Sequence, residues 1–230
     1  MRTAVVTGGG TGIGRAIAEE LVKRGLDVVI TGRRADVLET TAQEVGARAV
    51  AFDAASPEAV EAALPDLPST VDVLVNNAGG AVGDADLRAR WLADYEANVI
   101  TAVLVTTALE PRLADQARIV TIGSIAGRRG GGSYGAAKAA VEAWTAELAF
   151  DLGGRGITAN VVSPGYVEDT EFFGDRMTDQ RRQKLISQTA NGRPGTPADV
   201  AAAVAFLTSP EAGHITGQVI AVNGGAALGR

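Results

Sequence analysis

Seven short runs rich in β-branched residues alternate with longer stretches of alanine, leucine, glutamate and arginine, and this alternation restricts the possible folds more than any other feature. The runs are TAVVT (3–7), DVVIT (27–31), RAVAF (48–52), DVLVN (72–76), RIVTI (118–122), ITANVV (157–162) and QVIAV (218–222). Short, mostly apolar runs of this kind predict strands buried on both faces. The stretches between them, such as IGRAIAEELVKRG and PADVAAAVAFLTSP, carry helical periods and stop at glycine or proline. Repetition of strand, helix and strand predicts a parallel sheet with helices on both faces, joined by right-handed crossovers. No linker, repeat or low-complexity tract breaks the pattern. The expectation is therefore one α/β, doubly wound domain with a seven-stranded parallel sheet over residues 1–230.

Composition narrows the function classes. The chain has 230 residues, 46% hydrophobic and 21% charged, with a net charge of -6. That is a globular mixture able to bury a core, and its charge gives no electrostatic reason to expect nucleic acid or an anionic membrane as partner. With no cysteine and one histidine, thiolate metal sites and disulfides are excluded and a zinc enzyme is disfavoured, so no metal site is expected. The N-terminus is too short in apolar residues for a signal peptide, and no other apolar segment of membrane-spanning length stands out. A soluble, cytoplasmic protein is expected.

Doubly wound sheets bind ligands at the carboxyl ends of their strands, near the point where strand order reverses. The residues that follow each run are thus the informative ones. After the first comes TGGGTGIG, which includes Gly8, Gly10, Thr11, Gly12, Ile13 and Gly14 and leads into a helix. Backbone amides at such a helix start, unshielded by side chains, form an anion site suited to a pyrophosphate, although a flexible turn would read the same way. After the second run, Gly32 stands where NAD-preferring folds place a carboxylate, followed by Arg33 and Arg34. Arg33 suits a 2′-phosphate, the alternative being a solvated arginine pair. After the third, Asp53 and Ala54 lie where an adenine amino group is met. After the fourth, Asn76 is placed to lock neighbouring strands, and Asn77, Ala78 and Gly79 to wall a ribose. Between the fifth run and a long helix lies GSIAGRRGGGSYGAAK, with Ser124, Tyr134 and Lys138. Tyr134 and Lys138 are four residues apart, on one helical face, where an ammonium can stabilise a phenolate.

Taken together and in order, TGGGTGIG, FDAAS, NNAG, Asn98 in YEANVI, Ser124, YGAAK, NVVSPG and ITGQVIAVNGG resemble the short-chain dehydrogenase/reductase family over essentially the whole chain. The pattern is most similar to that of 3-oxoacyl-carrier-protein reductases and related small ketoreductases. The resemblance implies a Rossmann-type fold and an NADP(H)-dependent oxidoreductase acting on a small-molecule carbonyl or secondary alcohol. It also implies that Tyr134 is the general acid or base, that Ser124 holds the carbonyl, and that Lys138 supports Tyr134 and binds the nicotinamide ribose. Asn98 would bend its helix and hold a water in a relay to Lys138, or simply be a satisfied buried asparagine. Pro164, Gly165, Val167 and Thr170 would meet the nicotinamide. Residues 166–193, with adjacent Phe172 and Phe173, would form a substrate lid or a surface helix pair, and His214 would be structural. A homo-oligomer, dimer or tetramer, is implied too. The alternatives are an NAD-dependent sugar, polyol or steroid dehydrogenase, and a non-catalytic dinucleotide sensor, which would have no need of proton-transfer groups.

The sequence departs from the family pattern at three places. Ser124 and Tyr134 are separated by a shortened connection, predicting a more open pocket mouth. Thr11 occupies a position often basic in NADP-preferring relatives, and Asn223 replaces a more usual aspartate.

Overall fold

The computed structural model describes residues 1–81, 86–174 and 177–228; two residues of the expected lid, 175 and 176, lie outside them. Its centre is one seven-stranded, all-parallel sheet in the order β3-β2-β1-β4-β5-β6-β7. The strands are β1 (Thr3–Thr7), β2 (Asp27–Gly32), β3 (Arg48–Ala51), β4 (Val71–Asn76), β5 (Leu113–Ile122), β6 (Thr158–Pro164) and β7 (Val219–Val222). This is the expected doubly wound arrangement, and β1 lies between β2 and β4, so strand order reverses at its carboxyl end.

Alternating side chains feed two cores. Ala4 and Val6 point to one face, where they pack with Ile17 and Leu21 of α1 (Gly12–Lys23), Leu38 of α2 (Ala35–Val45) and Val200 and Val204 of α9 (Pro197–Leu207). Val5 points to the other, with Val60 of α3 (Pro57–Ala63), Val105 and Leu109 of α5 (Thr101–Leu109) and Ala149 of α7 (Gly132–Asp151). Each fully buried Ile or Leu contributes roughly 1.5–3 kcal/mol, so these two layers hold the sheet in place. The remaining helices are α4 (Leu87–Tyr95), α6 (Ala126–Arg129) and α8 (Asp179–Ser187), with a π-turn at Glu96–Ile100 between α4 and α5.

Two sequence expectations need correction. β5 begins at Leu113, five residues earlier than expected, and its register against β4 jumps between Val71 and Val73. The extra strand is polar and contains Gln116 at φ 63, a break in apolar pattern that hid it. The continuous helical run Leu87–Arg112 is also long and apolar enough to cross a membrane by length and composition. Here it serves the core: Asp94, Asn98, Val99, Val105 and Leu109 on it are buried in the protein.

Candidate active site

The glycine-rich turn is held by its contacts with β4. The Thr7 hydroxyl accepts hydrogen bonds from the amides of Asn77 (3.0 Å) and Ala78 (2.9 Å). Asn77 Nδ2 donates to the carbonyls of Thr7 (2.9 Å) and Gly8 (3.0 Å). Asn77 thus ties β4 to β1, the role expected of Asn76, whose amide instead donates to Thr106 of α5 at 2.8 Å. The turn folds so closely over α1 that a Cβ on Gly14 would lie 2.1 Å from the Gly8 carbonyl oxygen. Thr11, the residue capping α1, makes no side-chain hydrogen bond to the first-turn amides. Those amides and the macrodipole, on a turn where Gly8, Gly10 and Gly12 carry no side chain, fit a pyrophosphate.

At the adenosine end, Arg33 and Arg34 diverge. Arg34 pairs with Glu171 at 2.8 Å, whereas Arg33 is exposed and has no ion pair among the described residues. Gly32 is open: a Cβ there would meet only Leu38, at 3.5 Å. Asp53 uses Oδ1 to accept from the Ala55 amide at 3.0 Å, a local turn that leaves its second oxygen available, and Ala54 is buried.

Ser124 follows β5 and is clamped to β6 from both sides, the Gly123 amide donating to Val162 (2.8 Å) and the Ile125 amide to Pro164 (2.9 Å). Its hydroxyl accepts from the Ala126 amide at 3.2 Å and also hydrogen-bonds Tyr134. The shortened connection winds into α6, and α7 then presents Tyr134 in its first turn. Burial pushes the Tyr134 phenol up to about 12, with the Ser124 hydrogen bond pulling down and the Asp94 charge pushing up. At neutral pH Tyr134 therefore holds its proton. Lys138 is buried, donates to the Ile122 carbonyl at 2.8 Å and lies 5.8 Å from the Tyr134 ring centroid. Desolvation brings it down to about 8. Both Nδ2 hydrogens of Asn98 are spent on protein, one on the Gly80 carbonyl and one on the Asp94 carbonyl, each at 2.8 Å. Its Oδ1 accepts from the Gly80 amide at 3.1 Å, under Gly79.

The segment after β6 closes over this end of the sheet. Gly165 donates to Val222 at 3.1 Å and packs so tightly on Asn223 that a Cβ would meet that side chain at 2.9 Å. Val167 bridges to Gly195, and Thr170 lies beside Gly12, its Cγ2 3.5 Å from where a Cβ would stand. A groove of about 550 Å³ runs between the start of α1 and Asp169–Glu171. Phe172, in the segment expected to form a lid, packs on Tyr134. The sequence reading missed Thr7, Asp94, Ser133 and Glu171 as members of this region. The four-residue spacing of Asp94 and Asn98, and the adjacency of Ser133 to Tyr134, were the available signals.

Comparison with known proteins agrees with this geometry. A family model described as enoyl-(acyl carrier protein) reductase matches residues 8–227. The 3-oxoacyl-[acyl-carrier-protein] reductase of Vibrio cholerae is 35% identical, covering 97% of this chain and 96% of its own. Among solved structures, a blue fluorescent protein from a metagenomic library, in complex with NADPH, superposes with a TM-score of 0.87 at 36% identity, covering 99% and 98% of the two chains. A short-chain dehydrogenase/reductase described as glucose/ribitol dehydrogenase, from Brucella melitensis, gives 0.88 at 31% identity, covering 99% and 97%.

Proposed function

Since the chain belongs to the short-chain dehydrogenase/reductase family, we propose that it is an NADP(H)-dependent reductase of carbonyls, of the 3-oxoacyl thioester class. The observation that carries this reading is the closeness of the Ser124 hydroxyl to the Tyr134 phenol, which it pulls down against burial, with the buried Lys138 5.8 Å from the Tyr134 ring centroid. Two donors converging on one point suit a carbonyl oxygen, which becomes the proton acceptor during reduction.

Hydride for the carbonyl carbon comes from the reduced nicotinamide when it is bound. Ser124 holds the carbonyl oxygen, and Tyr134 gives that oxygen its proton as the C=O double bond becomes C–OH. Lys138, the nearby buried cation, stabilises the phenolate left behind and would bind the nicotinamide ribose. Asn98 keeps the π-turn shaped beneath Gly79 and Gly80. The turn from Gly8 to Gly14 holds the pyrophosphate, with Gly10, Thr11, Gly12 and Ile13 supplying the wall. Arg33 would meet the 2′-phosphate through charge-assisted hydrogen bonds, and Asp53, Ala54, Asn77, Ala78 and Gly79 would line the adenosine and ribose side. Pro164, Gly165, Val167 and Thr170 support the nicotinamide, and residues 166–193 act as the lid.

Homo-oligomerisation, as a dimer or tetramer, belongs to the same proposal. Leu87, Trp91, Leu92 and Tyr95 are exposed on α4, and Phe150 is 87% exposed on α7. An apolar face of that kind supports burial against a second copy. A cytoplasmic location fits an enzyme drawing on a soluble nicotinamide pool. The test is NADPH consumption with a 3-oxobutyryl thioester, compared with NADH and with an enoyl thioester: absence of turnover on the 3-oxo substrate and turnover on the enoyl one would overturn the reading.

A further inference from the structure

Asp94 is a buried carboxylate that the chemistry above does not use. It is 2% exposed and sits on α4, which packs against α7. Its Oδ2 accepts from Ser133 Oγ at 2.6 Å, and Ser133 immediately precedes Tyr134. Its backbone carbonyl accepts from Asn98 Nδ2 at 2.8 Å. One residue thus ties the first turn of α7, which carries Tyr134, to the π-turn, which carries Asn98.

A neutral side chain would suffice to join two helices, and burying a carboxylate is costly unless it is hydrogen-bonded. The Ser133 hydrogen bond offsets part of that cost and fixes where the charge sits. We propose that Asp94 is a positioning residue for the acid–base step, fixing Tyr134 through Ser133 and placing a buried negative charge beside the helical turn that carries the phenol. The inference rests on the reading of Tyr134 as the general acid.

The electrostatics agree with the geometry. Asp94 is one of the groups that raise Tyr134, after burial, and it acts against the Ser124 hydrogen bond. The titratable groups on the elements packed against Asp94 are Tyr134, Lys138, Glu142, Glu147 and Asp151 on α7 and Glu96 on the π-turn, with Arg88, Arg90 and Tyr95 on its own helix. Of these, Tyr134 directly follows the residue that Asp94 holds. Lys138 is drawn the other way, toward the Ile122 carbonyl.

Two substitutions separate the roles. Asp94→Asn removes the charge, while its amide oxygen still accepts from Ser133. Ser133→Ala keeps the charge and breaks the tether. Tyr134 ionisation is read as the difference in phenolate ultraviolet absorbance between each protein and its Tyr134→Phe counterpart, which subtracts Tyr95 and Tyr166. NADP⁺ is present, so that its positive charge brings the midpoint into a range where the protein stays folded. Asp94→Asn, and Asp94→Ser as a second neutral variant, should move the midpoint to lower pH by roughly one unit, as expected for unit charges on neighbouring side chains. Ser133→Ala should leave the midpoint in place and lower kcat with a 3-oxobutyryl thioester about tenfold or more, with KM for NADPH unchanged. A midpoint unmoved in both neutral variants overturns the electrostatic role. Normal turnover in Ser133→Ala overturns the positioning role. If Tyr134→Phe itself turns over normally, the general-acid reading fails instead, and the titration still reports whether Asp94 acts on Tyr134.

Discussion

The Phe172 ring lies 5.2 Å from the Tyr134 ring, tilted by 55°, so the segment proposed as a lid touches the group proposed to move the proton. Phe172 is held by Phe173 (4.9 Å, edge-on), and Phe173 by Tyr166 (5.8 Å), with Arg181 5.0 Å from its centre. A carbonyl substituent entering the site must pass or displace Phe172. Replacing Phe172 with Ala should therefore raise kcat/KM for bulky ketones relative to a 3-oxobutyryl thioester. The ratio of the two specificity constants checks this, and an unchanged ratio would place Phe172 outside the substrate's path.

Replacing Tyr134 with Phe should remove the proton donor while the ring still packs. Acid–base assistance is worth about 10²–10⁴ in rate. Turnover should fall by that order while the NADPH dissociation constant, measured by fluorescence titration, stays within a few fold.

Cofactor choice should follow the end of β2. Gly32 has room for a side chain, so Gly32→Asp should fold normally, repel a 2′-phosphate and invert the preference toward NADH. Arg33→Ala should flatten the preference by roughly tenfold, because a hydrogen bond to a charged group contributes about 1.5–3 kcal/mol. Arg34→Ala should do less, since Arg34 is already paired with Glu171. Measured kcat/KM ratios for NADPH and NADH decide, and an unchanged ratio in Arg33→Ala would refute the assignment.

Lys138 should cost the fold stability near neutral pH. Its folded value of about 8 lies below the usual lysine value of 10.5, so the unfolded chain binds more protons between those limits and stability rises with pH across about pH 8–10.5. Lys138→Met should remove that slope, abolish turnover and raise Tm at pH 7, by roughly 2–4 °C for each kcal/mol recovered in a chain of this size. Melting curves from pH 7 to 10.5 test the sign.

The start of α9 should weaken in acid. Asp199 completes a capping box with Thr196 and pairs with Arg193 at 2.7 Å. The Arg193 hydrogen bond, aided by Thr196, holds its carboxyl well below the usual carboxylate range. A depressed folded value means stability that is present above the unfolded value and lost as pH falls through the folded one. Asp199→Ala should therefore cost about 1 kcal/mol at pH 7 and show a shallower decline in Tm on acidification than the parent.

Much of this architecture is legible in the sequence because strands buried on both faces leave a plain apolar signature. TAVVT and DVLVN became β1 and β4 almost residue for residue. LADQA, the first half of β5, carries no such signature, because its exposed residues and the positive φ of Gln116 lie ahead of the point, Arg118, where β5 begins to pair with β6. In the candidate site, residues recognised by order along the chain were readable, whereas partnerships across it were not. Nothing local marks Arg34 for Glu171, 137 positions away. The two asparagines after β4 look interchangeable in sequence, and only the closeness of the Gly8 turn gives Asn77 the strand-locking bonds.

The π-turn at Glu96–Ile100 also sets a rotational phase. A turn closed by i→i+5 bonds holds one residue more than an α-turn, and each helical residue advances the side-chain direction by about 100°. That extra residue orients α4 relative to α5 so that Asp94 looks toward Ser133 while Val105 and Leu109 look into the sheet. Deleting a single residue within the turn would let the helix run on regularly and swing Asp94 about a quarter-turn around its axis. The gap between a one-residue deletion and a conservative substitution is therefore wide here: the site depends on the count of residues between the two helices as well as on their identity.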